Sequence, residues 1–178
     1  MNQTIDLLTS HRSIRKFTNA PVDPALFTRL VEAAQASASS SFLQGVTIIR
    51  VTDSDKRVVL RGVAGGQAYV ETAPEFLVFC ADLSRPMRCC RQHGGTPAEG
   101  LTEQFVIATV DAALYAQNLV IASESAGLGI CYIGALRNDP ATVTELLDLP
   151  HQVYPVFGLC LGYPAHDPEV KPRLPVSV

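Results

Sequence analysis

Glu75-Phe76-Leu77-Val78-Phe79-Cys80-Ala81-Asp82 is a continuous apolar run of strand length. Such a run reads as a central strand covered on both faces. Working outward, Gly45–Thr52 alternates through Val46, Ile48 and Ile49 and predicts a second strand. Gly129–Gly134 and Tyr154–Tyr163 predict a third and a fourth. Between them lie helical patterns. Thr4–Ser10 reads as a short helix. Asp23-Pro24 starts another, with Asp23 as cap, Pro24 at the first helical position and Phe27, Leu30, Val31 and Ala34 on one face. Ser54–Val63 ends at Gly65-Gly66-Gln67, and Asp139-Pro140 opens a helix carrying Val143, Leu146 and Leu147. Leu101–Gly127 is the longest, apolar on most sides and closed by Gly127. Glu103, Asp111, Gln117, Asn118 and Glu124 interrupt it, so it is read as a core helix that also lines a subunit contact rather than as a membrane span.

The 178 residues, 47% of them hydrophobic, are expected to form one domain over 1–178 and to bury about 70% of the unfolded surface. A net charge of -3 with 14 Lys and Arg gives no basic stripe for nucleic acid. Five irregularly spaced cysteines fit reduced thiols in the cytoplasm. Ser84–Gly100, with three arginines, Cys89-Cys90, His93, Gly94-Gly95 and Pro97, reads as a mobile surface loop. Its Cys-Cys-x-x-His lacks zinc spacing and a fourth ligand, so no metal is expected.

Three stretches carry binding chemistry. His11-Arg12-Ser13-Ile14-Arg15 packs two guanidinium groups, an imidazole and a hydroxyl into five residues. Extended, it places His11, Ser13 and Arg15 on one side; helical, it brings Arg12 and Arg15 together. Either suits a phosphate or a polar ring edge. Lys171-Pro172-Arg173-Leu174-Pro175 presents two cations on a stiffened backbone, a second half of an anion site. Ser39-Ser40-Ser41 gathers hydroxyls beside Phe42 at an expected turn. No Ser-His-Asp set, catalytic carboxylate pair or G-x-G-x-x-G follows.

Taken together, the sequence resembles the FMN-dependent nitroreductases, in particular the oxygen-insensitive, NADPH-preferring nitroreductase and flavin-reductase branch. The likeness runs through His11–Phe17, Ser39–Gln44, Gly66-Gln67, Phe79–Asp82, Gly127–Gly129, Tyr132–Gly134, Leu136–Asn138 and Phe157–Gly162, and on to Lys171–Pro175. It implies an α+β fold, a helix–sheet–helix sandwich about a mainly antiparallel sheet, assembled as a homodimer with FMN bound tightly but non-covalently at the subunit interface. It implies that His11, Arg12, Ser13 and Arg15 hold the phosphate, ribityl chain and ring edge, and that Lys171 and Arg173 complete the phosphate cage. Ser39, Ser40 and Ser41 would come from the dimer partner. Gln67 would reach the ring or ribityl region, and Tyr132, Ile133 and Gly134 would pass beside the ring. Phe42, Glu103 and Arg137 would stand at the mouth, where nicotinamide and acceptor alternate. No side chain is expected to be catalytic, because the flavin passes hydride from NAD(P)H, with NADPH favoured, to nitroaromatics, quinones or free flavin in ping-pong fashion. The partners implied are a small-molecule electron acceptor and a second copy, with neither nucleic acid nor membrane. The alternative expectation is a non-catalytic FMN carrier or sensor, or a fragment of a longer nitroreductase.

Two departures from the family pattern stand out. Ile133-Gly134-Ala135 replaces Ile-Gly-Gly, which adds a methyl beside the site. The chain ends at Val178, where the branch continues into a C-terminal arm, so that arm is expected to be absent.

Overall fold

The computed structural model describes residues 2–178. Its sheet has four strands: β1 (Val46–Arg50), β2 (Glu75–Asp82), β3 (Gly129–Ile133) and β4 (Val153–Gly162). Their order is β1-β2-β4-β3, and every neighbouring pair is antiparallel. The helices are α1 (Gln3–Thr9), α2 (Pro24–Gln35), α3 (Ser54–Val63), α4 (Tyr69–Thr72), α5 (Ser84–Gln92), α6 (Thr102–Ser125) and α7 (Pro140–Leu146), with 3₁₀ turns at Ser40–Phe42 and Gly134–Asn138.

Period-two alternation along β2 builds two cores. Leu77, Phe79 and Ala81 face α2 and α6, meeting Leu30, Ala34, Ala112, Ala116 and Leu119. Phe76, Val78 and Cys80 face the opposite way, against Leu60 of α3, Val70 of α4 and Val143 of α7. The sheet is thus the middle layer of a helix–sheet–helix sandwich, as the resemblance implies. Both faces of β2 are dry, which is why its sequence is apolar throughout rather than alternating.

The anticipated start signals act as capping chemistry predicts. Asp23 accepts from Leu26 N at 2.9 Å with Pro24 behind it, and Asp139 accepts from Thr142 N with Pro140 behind it. Gly127, at φ 78°, turns the chain out of α6 and into β3.

The sequence reading of Ser84–Gly100 needs correction in its first half. Ser84–Gln92 is α5, with Met87 buried and Arg85 bonded to the carbonyls of Gln44 and Val46 and paired with Asp82. Pro86 lies in the first turn, where its missing N–H costs no helical bond.

Two further features position the site. A bulge between Phe79 and Cys80 leaves Val156 of β4 unmatched, since Phe79 faces Phe157 and Cys80 faces Pro155. The outer edge of β3 is covered by the extended N-terminal segment, through Ile14 N donating to Ile130 O at 2.8 Å. Gly129 makes that approach feasible: a Cβ there would lie 2.5 Å from Ile14 Cγ1.

Candidate functional site

The first cationic stretch is extended, not helical, and runs from the C-terminal end of α6 along β3. His11 Nδ1 meets Glu124 Oε1 at 2.6 Å. Arg12 donates from Nε to Asp167 Oδ1 at 2.7 Å, adds a second bond to the same oxygen from Nη2, and donates from Nη1 to Ser10 O. Ser13 is half-buried, while Arg15 is exposed.

The chain leaving β4 is laid against this stretch. Thr18 N donates to Tyr163 O, Ala165 N donates to Lys16 O, and Phe17 bridges to Pro164. With Asp167 held by Arg12, Lys171 begins only four residues further on, within about 14 Å of that anchor. Lys171 and Arg173 are exposed, and neither they nor Arg15 make an ion pair among the described residues. The segment that leads to Lys171 and Arg173 is therefore anchored on the stretch that carries Arg12 and Arg15.

Beside Arg15 stands Tyr69, which the sequence reading did not single out. Burial raises its phenol above the ordinary value, the Cys131 thiol adds to the rise, and the Arg15 guanidinium pulls against it. Tyr69 Oη donates to Gln67 Oε1 at 2.5 Å, and Gln67 Nε2 donates to Ala64 O at 2.9 Å. Gln67 thus reaches the Arg15 neighbourhood through Tyr69. Tyr132, at the end of β3, packs edge-on against Phe157 with ring centroids 5.1 Å apart. Burial pushes its phenol up to about 12, so it stays protonated and can act as a donor. Ile133 is buried and leads into Gly134. Arg137 folds back over Gly134, and its Nη1 donates to the unmatched Val156 carbonyl at 2.8 Å.

The serine cluster lies elsewhere. Ser39 Oγ donates to Asp111 Oδ2 at 2.9 Å and Ser40 N donates to Asp111 Oδ1 at 3.0 Å, which ties the turn to the middle of α6. Thirteen residues of helix separate Asp111 from Glu124, about 20 Å. Within one chain Ser39, Ser40 and Ser41 are accordingly remote from His11. Phe42 belongs to the same turn and is 79% exposed, and Glu103 sits exposed in the first turn of α6. Near the turn, α2, β1 and α6 enclose a cavity of about 390 Å³ that Arg50, Arg85 and Tyr115 also line.

The nitroreductase family profile matches residues 8–163 of this sequence, a stretch that includes the first cationic segment, the serine turn and all four strands. The chain belongs to the nitroreductase family. It is 49% identical over all 178 residues to the oxygen-insensitive NADPH nitroreductase of Salmonella typhimurium and spans 72% of that protein. It is 50% identical to the NADPH-flavin oxidoreductase of Vibrio harveyi, again over 72% of that protein's length. The structure of the Vibrio harveyi NADPH:FMN oxidoreductase complexed with NAD+ superposes with a TM-score of 0.94 at 49% identity, covering 99% of this chain and 75% of that one. In this nitroreductase, Cys89 Sγ and His93 Nδ1 lie 3.8 Å apart. Among the described residues, no group of three His, Cys, Asp or Glu side chains converges on a metal-sized space.

Proposed function

We propose that this chain is an FMN-dependent oxidoreductase that takes hydride from NAD(P)H, NADPH first, and passes it to small acceptors such as nitroaromatics, quinones or free flavin. The observation that carries the reading is the pairing of the Pro164–Asp167 segment with Arg12–Thr18, which leaves Lys171 within about 14 Å of the Arg12–Asp167 bond and so supports its reaching the same phosphate as Arg15. Three cations without a carboxylate partner among the described residues suit a doubly charged phosphate in a partly dry cleft. Relatives named as NADPH nitroreductase and NADPH-flavin oxidoreductase support the same cofactor and reductant.

In this reading Arg12, Arg15, Lys171 and Arg173 bind the phosphate end. Asp167 orients Arg12, and Glu124 orients His11 through Nδ1 and leaves Nε2 for a ligand. Ser13, Gln67 and the backbone of Tyr132, Ile133 and Gly134 flank the ribityl chain and ring. Bound FMN supplies the two-electron chemistry. The protein's part is to hold the ring, offer donors to its polar edge and keep one face open for nicotinamide and acceptor in turn. Phe42, Glu103 and Arg137 serve that open face.

Asp111, which anchors the serine turn, lies about 20 Å along α6 from Glu124, which supports a second copy presenting Ser39, Ser40 and Ser41 to complete each site. The exposed stripe Phe105, Val106, Val110 and Leu114 on α6 is the apolar surface such a homodimer buries. The whole chain acts as one FMN-binding domain in the cytoplasm. Purified protein should be yellow, and anaerobic NADPH should bleach it faster than NADH does. A preparation that takes up no FMN refutes the assignment, and one that stays yellow under NADPH refutes the turnover.

A further inference from the structure

Asp111 is a carboxylate 3% exposed in the middle of a largely apolar helix, and nothing in the fold of α6 requires it there. Its two oxygens are both spent on one turn, Oδ2 accepting from Ser39 Oγ and Oδ1 from Ser40 N. Ser39 Oγ in addition accepts from Gln44 N at 2.7 Å, so its single hydrogen and one of its lone pairs are committed inside the turn. The hydroxyls left to face outward are those of Ser40 and Ser41.

The turn needs such an anchor. Ser41, Phe42 and Gln44 have φ of 47°, 57° and 52°, left-handed backbone that side chains with a Cβ disfavour. Strain of this kind persists only where surrounding structure over-determines it, and it gathers at binding sites. Here the strained segment projects a large apolar ring into solvent and is fixed at its base by a buried charge.

We propose that Asp111 is a positioning residue for the cofactor site of the other protomer: from inside its own chain it sets the Ser40–Ser41 donors and Phe42 that complete the partner's FMN cleft. The inference rests on the FMN reading above. Asp111 does not touch the cofactor. It acts across the subunit boundary, through the turn.

Mixed dimers test this. FMN binding is followed by quenching of flavin fluorescence in the wild type, in Asp111→Asn and in Arg15→Ala. Asp111→Asn should bind FMN about tenfold more weakly, as loss of one charged hydrogen bond implies. Differentially tagged Asp111→Asn and Arg15→Ala chains are then combined. One site of the mixed dimer joins both lesions, while the other joins an intact Arg15 to an intact Asp111. The expected result is one site of wild-type affinity per mixed dimer, where neither parent homodimer has any. Ser39→Ala in place of Asp111→Asn should complement in the same way, and it removes the Ser39 bonds to Asp111 and from Gln44 N without altering the buried carboxylate. A mixed dimer without a wild-type site overturns the proposal. So does wild-type affinity in the Asp111→Asn homodimer beside weakened binding in Arg15→Ala, an outcome that leaves the FMN reading standing. If Arg15→Ala binds as wild type does, the assignment of Arg15 to the phosphate fails and the proposal goes with it; if the wild type takes up no FMN, the FMN reading itself fails.

Discussion

The two regions tied to α6 differ in how they are built. At Glu124 the helix end gathers side chains from distant parts of the chain: His11 is bonded to it directly, and Arg12 then links the N-terminal stretch to Asp167. At Asp111 the helix holds one hydroxyl and one backbone N–H from a short turn, in a conformation that side chains resist. The first region is exposed positive charge assembled by strand-like pairing. The second is strained backbone fixed by a single buried carboxylate. In each, a carboxylate of α6 faces inward and orients a group that faces out. In the proposed dimer, what differs is which protomer's ligand that group serves.

The comparison can be broken at several strengths. Removing both cations of the second stretch, Lys171→Ala with Arg173→Ala, should cost about 2–5 kcal/mol of FMN affinity and much less of riboflavin affinity. Equal losses for both ligands would move these residues away from the phosphate. Single changes, Arg15→Ala or Lys171→Ala, should each cost ~1–3 kcal/mol in the same titration. Gly129→Ala attacks the scaffold instead. The new methyl meets Ile14, so the N-terminal stretch must lift off β3, lowering stability in urea by about 1–3 kcal/mol and weakening FMN in parallel. Unchanged FMN affinity there would mean that the stretch does not need β3.

A smaller effect should appear with pH at Asp82, beside the serine turn. Burial alone would raise its carboxyl, but bonds from Thr47 and Ser84 and the Arg85 guanidinium outweigh that and hold it below the usual carboxylate range. A carboxyl depressed on folding adds stability above its unfolded value, near pH 4, and loses it as pH falls through the folded value. The difference in urea midpoint between wild type and Asp82→Asn should therefore shrink between pH 6 and pH 3. Cys89→Ser and His93→Ala, which belong to neither region, should leave flavin affinity and turnover unchanged in a steady-state assay.

Much of the framework is legible locally. Strands announce themselves where both faces are dry, as in β2, and helix starts where Asp precedes Pro at Asp23 and Asp139. Ser84–Gln92 misleads because Pro86, paired cysteines and three arginines look like loop composition, whereas Pro costs little in a first turn and Arg85 finds its acceptors on β1 and the turn before it. The cation stretches are visible as residue types, but the anchor that ties the second to the first is Asp167, 155 positions from Arg12. Asp111 looks like a mere interruption of an apolar helix, since its partners lie more than 70 residues away. The resemblance puts Arg137 at the mouth of the site; only the bulge, which no local pattern reveals, shows that part of its guanidinium is spent on Val156. Arg57, bonded to the carbonyls of Val51, Glu71, Ala73 and Pro74, leaves no trace in its neighbours along the chain.

The interval from Asp111 to Glu124 is also a ruler with a phase. One residue inserted between them would rotate one anchor by about 100° relative to the other and lengthen the helix by only ~1.5 Å, so the damage is angular rather than linear. Natural length variation should therefore avoid this span and accumulate in the irregular His93–Gly100 connection, where an added residue leaves the bearing between the two anchors unaltered.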